Sequence, residues 1–399
     1  VFVVMIGVGI TTPVLPFYVE RLALAQGSSR QAVVMHVGLL TAVYALGQLI
    51  FAPVWGRLSD RTGRRPLVLI GIGGFVIAQM LFGLATSLWL LYGARILGGV
   101  LSSATLPVAA AYVADMTTAK ERGRGMAWLG TAVSLGFVVG PALGGVLSRR
   151  DLHFTVRFGH LLIDGFSVPF FAAALLGLLT LGGALRWLPE SLGTQAPRAR
   201  REEGGTDWGR LARRLGPLLG LALLAQFGLA IFEATFALYA QAKFDYALGQ
   251  VGAVFVVCGL VMTVFQVGAV GLLVGRVRER YQVGAGFALM GMSLMVLVLA
   301  RTTVSVFVVV GLLALGTALV SPNLATLIST GTGHGRVGAA LGAQNAANSL
   351  GQASGPLLGS ALLVWRLDAP YLLTGALLLV VAVVVGWSAA ESPRGAGLV

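Results

Sequence analysis

Residues 136–144 read Gly-Phe-Val-Val-Gly-Pro-Ala-Leu-Gly, and residues 351–359 read Gly-Gln-Ala-Ser-Gly-Pro-Leu-Leu-Gly. Both nonapeptides keep Gly, Gly, Pro and Gly at the same four places, 215 positions apart. The same offset brings Gly56 onto Gly271, Arg61 onto Arg276 and Pro107 onto Pro322. Glycine is common here, with 56 copies, so a single coincidence carries little weight. A pattern that keeps its register over three separated segments carries much more: the chain consists of two related halves.

Each nonapeptide lies inside a long apolar run. Of the 399 residues, 57% are hydrophobic and only 11% are charged, against roughly 25% charged in an ordinary soluble domain. A helix crosses the hydrocarbon core with about 20 mainly apolar residues. Runs of that kind occupy 1–19, 36–56, 66–86, 88–112, 125–147, 166–187, 215–240, 250–274, 283–300, 303–328, 337–364 and 369–390. They predict an all-α membrane protein of twelve transmembrane helices in two pseudo-symmetric six-helix bundles. Residues 189–214, rich in Arg, Glu, Gly and Pro, hold no span and divide the chain. The expected organisation is a first bundle at 1–188, a cytoplasmic linker at 189–214 and a second bundle at 215–399. Trp208 to Leu215, with Arg210, Arg213 and Arg214, suits a short amphipathic helix on the membrane surface or a solvated linker.

The net charge of +13 raises nucleic acid as a partner, but its distribution removes that reading. With the N-terminus inside, the inner loops and tail hold 19 basic residues and the outer loops 8. Such a bias orients a multi-pass protein of the inner (plasma) membrane with both termini cytoplasmic. Cys258 is the sole cysteine, so no disulfide or cysteine metal site forms within one chain. His36, His153, His160 and His334 fall in or beside loops with no ligand cluster, so no metal is expected. No Gly-x-x-x-x-Gly-Lys-Ser/Thr loop is present, which argues against ATP as the driver. No cofactor is implied. Duplicated halves characterise secondary carriers, whose substrate site lies between the repeats near the midplane.

The loop after the second span reads Gly56-Arg57-Leu58-Ser59-Asp60-Arg61-Thr62-Gly63-Arg64-Arg65-Pro66. It resembles the signature loop between helices 2 and 3 of the major facilitator superfamily, and the resemblance extends over the whole chain. In that family the loop latches the halves in the outward-open state, which assigns Gly56, Asp60, Arg61 and Arg64 to a conformational latch. The second copy, Gly271 to Arg280, has Gly275 opposite Asp60, so a strong latch is expected on one side only. In span 5, Gly136, Gly140, Pro141, Gly144 and Gly145 resemble the motif of the proton-coupled exporter branch. Its glycines give a smooth face for close helix approach, and its proline bends the helix. Leu91, Arg95 and Gly99 of span 4, with Ser103 where relatives often have Ala, are similar to the same branch. The resemblance therefore implies a drug:proton antiporter of the multidrug efflux type.

Away from span ends, only Arg95 and Glu233 place a charge inside the spans. A mid-helix charge costs about 2.5–3.5 kcal/mol on insertion scales, so each calls for a role. Both lie about seven residues, or roughly 10 Å, from the outer end of their span. A carboxyl group there alternates between protonated and ionised forms as water reaches it from either side. Glu233 is the expected proton carrier, with Arg95 tuning it or repelling cations. The stretch Gln226 to Phe244 resembles span 7 of multidrug efflux carriers, where an acid serves coupling. Some relatives carry a second acid in span 10 before Pro322; this chain has Thr317, Ala318, Leu319 and Val320 there.

Phe17, Tyr18, Gln226, Phe232, Phe236, Asn345 and Asn348 are the candidate cavity residues. Gln344 and Gln352 extend the polar set on span 11, and Asn345 matches a drug-facing position in similar carriers. An apolar, aromatic cavity with few fixed charges suits lipophilic, often cationic compounds. The expectation is a monomeric secondary transporter in the lipid bilayer, exporting such small molecules in exchange for protons by alternating access. A same-fold carrier of lipid-like molecules or of one metabolite, and a receptor on a transporter scaffold, are the alternatives.

Overall fold

The computed structural model describes residues 1–118, 121–148, 156–158, 161–163, 165–191, 208–266, 278–332 and 337–391. Its helices are α1 (Phe2–Ala25), α2 (Arg30–Thr62), α3 (Arg64–Gly83), α4 (Leu88–Leu101), α5 (Thr105–Met116), α6 (Arg122–Leu147) and α7 (Val168–Trp187). There follow α8 (Trp208–Phe244), α9 (Leu248–Val264), α10 (Glu279–Leu297), α11 (Thr303–Thr330), α12 (Val337–Trp365) and α13 (Ala369–Glu391). A three-residue antiparallel ladder, β1 (Val156–Phe158) on β2 (Leu161–Ile163), lies between α6 and α7. Every expected span falls on helix where it is described; residues 267–274 of the eighth lie outside the described residues. Among the described residues nine helical segments are long and apolar enough to cross a bilayer. α12 is diluted by Gln344, Asn345, Asn348 and Gln352.

Local chemistry accounts for several helix ends. Ser29 and Ser87 accept from the amides of Ala32 and Leu90 at the starts of α2 and α4, and Thr302 with Ser305 forms a capping box on α11. These bonds satisfy donors that a helix start leaves without partners. Span 4, expected as one run, is α4 and α5 joined by a 3-10 turn at Ser102–Ala104. Pro107 lacks the N–H that would reach back to Ser103, and the Ser103 hydroxyl bonds the Val100 carbonyl instead, at 2.7 Å. The Trp55 indole donates to the same carbonyl at 2.6 Å. α8 begins at Trp208, inside the stretch expected as linker; residues 192–207 of that linker lie outside the described residues, as does the second loop copy around Gly275.

Many large apolar side chains are exposed, Leu179, Val383 and Leu299 among them, as a lipid solvent permits. Exposed Trp89, Trp128, Trp187, Trp365 and Trp387 all stand within roughly two turns of a helix end, where amphipathic rings meet the headgroups.

The chain forms two compact units. One holds Val1–Pro197 with Phe236–Gly259, the other Arg198–Thr235 with Leu260–Val399. In the first unit the glycines of α6 seat on α1: a Cβ at Gly140 would stand 2.5 Å from the Ile6 carbonyl oxygen and 2.6 Å from the Gly9 Cα. In the second unit α12 repeats this on α8, and a Cβ at Gly355 would stand 2.8 Å from the Phe227 carbonyl oxygen. Gly136 and Gly144 flank the first seat, against Met5 and Ile10, as Gly351 and Gly359 flank the second, against Leu223 and Ile231. The duplicated nonapeptide thus performs the same packing task twice.

Gly140→Val is expected to lose about 1–3 kcal/mol of stability by overpacking, read as a lower thermal midpoint in detergent micelles. Gly56→Ala, where a Cβ would meet nothing within 4 Å among the described residues, raises that midpoint slightly, through about 0.5–1 kcal/mol of helix propensity.

Candidate functional sites

Between α2 and α3 the chain turns on Gly63, whose φ of 105° lies in the region that favours glycine. The turn brings Arg64 back over the end of α2. Its Nη1 lies 2.6 Å from Asp60 Oδ1 and donates to Ser59 Oγ at 2.6 Å, while its Nε donates to Asp115 Oδ2 at 2.9 Å. The Ser59 hydroxyl in turn donates to the Gly56 carbonyl. Arg64 is the buried member, with its side chain 11% exposed against 62% for Asp60. Pairs so open to water contribute about 0–1 kcal/mol each, so this cluster orients more than it stabilises. Arg61 is exposed and has no partner among the described residues.

Glu190, just past α7, completes the loop. Its Oε1 accepts from the Arg64 amide at 2.8 Å and its Oε2 from the Arg65 amide at 3.2 Å. A carboxylate there satisfies orphan donors at the start of α3 and meets the positive end of the helix dipole. The Arg65 guanidinium donates to the Leu185 carbonyl, and the Tyr112 hydroxyl to that of Pro189. Asp115 and Glu190 were missed by the sequence reading. The signal available was an acid at the end of spans 4 and 6, beside loops otherwise rich in arginine.

The span 5 motif works on two faces of α6. Gly136, Gly140, Gly144 and the ring of Pro141 meet α1, whereas the Pro141 carbonyl and Gly145 meet α9. A Cβ at Gly252 would stand 3.0 Å from the Pro141 carbonyl oxygen and 3.2 Å from the Gly145 Cα. Pro141 has no N–H for the carbonyl of Phe137 one turn earlier. A Cβ at Gly259 would stand 3.0 Å from that oxygen, so the Hα in its place points at it, a weak C–H···O contact.

The two intramembrane charges lie in different units. Arg95 on α4 is 8% exposed, with its guanidinium carbon 5.2 Å from the Tyr44 ring centre and 5.4 Å from that of Phe82. Glu233 on α8 is half-buried between buried Phe232 and Ala234. Neither makes a hydrogen bond or ion pair among the described residues.

The candidate cavity residues fall into two groups. Tyr18 is fully buried; its hydroxyl is 3.0 Å from the Phe82 carbonyl oxygen and 2.7 Å from that of Ala85, and its ring stacks on Phe170. The single phenol O–H is shared between these two carbonyls at and just past the end of α3, the nearer being that of Ala85, and fastens α1 to α3. Phe232 and Phe236 are also fully buried, Phe236 edge-on to Phe255. Gln226, Asn348 and Phe17 are half-buried and Asn345 is exposed. Gln226, Asn345 and Asn348 have no hydrogen-bond partner among the described residues, so their amides keep hydrogen-bonding capacity to spare.

The sequence matches the profile of the Major Facilitator Superfamily over residues 1–353 and again over 218–398. It is 28% identical over 386 residues to multidrug resistance protein 2 of Bacillus subtilis (strain 168), covering 95% of this chain and 91% of that protein. It is 31% identical over 360 residues to the class G tetracycline resistance protein of Vibrio anguillarum, covering 89% and 86%. The fold is similar to the crystal structure of a D-xylose-proton symporter, with a TM-score of 0.76, 18% identity and coverage of 96% and 95%.

Glu190→Ala is expected to remove about 1 kcal/mol from the start of α3. Hydrogen exchange read at the Arg64 and Arg65 amides should accelerate several-fold, and unchanged exchange would show that the cap contributes nothing.

Proposed function

The chain belongs to the major facilitator superfamily, and we propose that it exports small lipophilic compounds, some of them cationic, in exchange for protons by alternating access. It is a multi-pass membrane transporter; the cargo, the coupling ion and the residues that serve them are the proposal. Support for drug export comes from relatives named for resistance to several drugs and to tetracycline. The observation that carries the coupling is Glu233: a half-buried carboxyl group in an apolar helix, with no partner among the described residues. A structural acid in lipid is normally paired. An acid without a partner is free to take and give a proton as its access to water changes.

In this scheme a proton taken from outside neutralises Glu233, and its release inside restores the charge. Arg95 is the fixed cation that tunes the acid and opposes cationic leakage. Gln226, Asn345 and Asn348 offer amides to the cargo, while Tyr18, Phe232 and Phe236 hold the surrounding helices in shape. Arg64, held by Asp60 and Asp115, forms the inner latch of the first bundle, residues 1–188, and the bundle at 215–399 lacks its counterpart. In this reading both termini are cytoplasmic, supported by the excess of basic residues in the loops on that side, and the transporter acts as a monomer in the inner membrane.

Glu233→Gln in proteoliposomes with an imposed pH gradient tests the coupling. Gradient-driven dye uptake should fall to the passive leak while dye binding stays within about twofold, since the isostere keeps the shape of the site. Undiminished gradient-driven uptake would remove Glu233 from the mechanism.

A further inference from the structure

Arg95 holds a full positive charge in a place where no acid among the described residues pairs with it. A guanidinium does not shed its proton in proteins, so burial must be met by other groups or by an ion. The faces of Tyr44 and Phe82 supply part of that compensation. The Nε is sealed from solvent and has no acceptor.

Beside it lies a cavity of about 20 Å³, lined among others by Thr11, Tyr44, Gln79, Arg95 and Ser102. Gln79 is 4% exposed and Ser102 is 6% exposed, and neither side chain finds a hydrogen-bond partner among the described residues. The Thr11 hydroxyl donates to the Gly7 carbonyl, and the Tyr44 hydroxyl accepts from Gln48. No carboxylate lines the cavity. The site therefore gathers one fixed cation with an amide and a hydroxyl whose donors lack acceptors, all in the first unit. Donors converging beside a buried cation are the chemistry of an anion site. The volume is of the order that holds one small species, which favours a monovalent ion over sulfate or phosphate.

The geometry points to a binding site for a monovalent, halide-sized anion at Arg95, chloride being the one a cell supplies. The anion accepts from the guanidinium, Gln79 and Ser102, and its occupancy sets how much of the Arg95 charge is left to act as the fixed cation of the proposed scheme. This inference does not depend on drug export, and the site would serve a carrier of any cargo.

Purified protein in lipid nanodiscs, unfolded thermally while chloride replaces gluconate at constant ionic strength, tests it. The midpoint should rise saturably with chloride and with bromide, but not with sulfate. Arg95→Gln should abolish the rise, and Gln79→Leu should raise the half-saturating chloride concentration about tenfold. A midpoint indifferent to chloride, or a rise that persists in Arg95→Gln, overturns the assignment. Should Arg95→Gln fail to fold, Gln79→Leu decides alone: an unmoved half-saturation sinks the site.

Discussion

Helices in a bilayer gain nothing by hiding apolar side chains from each other, because lipid is as apolar as leucine. What holds α6 to α1 is how closely two backbones approach, and that distance is set where Gly140 faces Ile6 and Gly9. Dispersion rises steeply at such separations, and each added methyl group would push the helices apart. α12 on α8 obeys the same constraint at Gly355. In the first unit, the fastening of α1 to α3 by Tyr18 and the contact of Gly252 with Pro141 adjoin the first of these seats.

Charge is handled in two different ways. At the membrane surface Arg64 is surrounded by Asp60, Asp115 and Ser59, and water shares the burden. Inside, Arg95 has aromatic faces and neutral donors only, while Glu233 has no partner among the described residues. Paired charges orient a loop at little net gain. Unpaired ones, which cost more to hold in lipid, are kept where ions or protons have business.

The spans and the duplicated motif were legible because both rest on local facts: run length, and glycine at fixed spacing. Partners brought together by the fold were not. Asp115 and Glu190 look like ordinary charges at span ends until the turn at Gly63 carries the start of α3 to them. Tyr18 reads as a cavity aromatic, yet its hydroxyl meets carbonyls more than sixty positions away in the chain. Gln79 reads as an isolated polar residue in an apolar run, and only the assembly of α1, α3 and α4 places it beside Arg95. The start of α8 at Trp208 was obscured because arginines in that stretch suit a helix and a linker alike.

The twin glycine seats also explain which traces of an ancestral gene doubling survive. On lipid-facing surfaces leucine, valine and isoleucine exchange at little cost, so kinship between the copies fades there. At a seat the backbone spacing leaves one admissible residue, and drift is blocked in both copies. The nonapeptide is therefore a trace of the doubling kept in both halves by geometry.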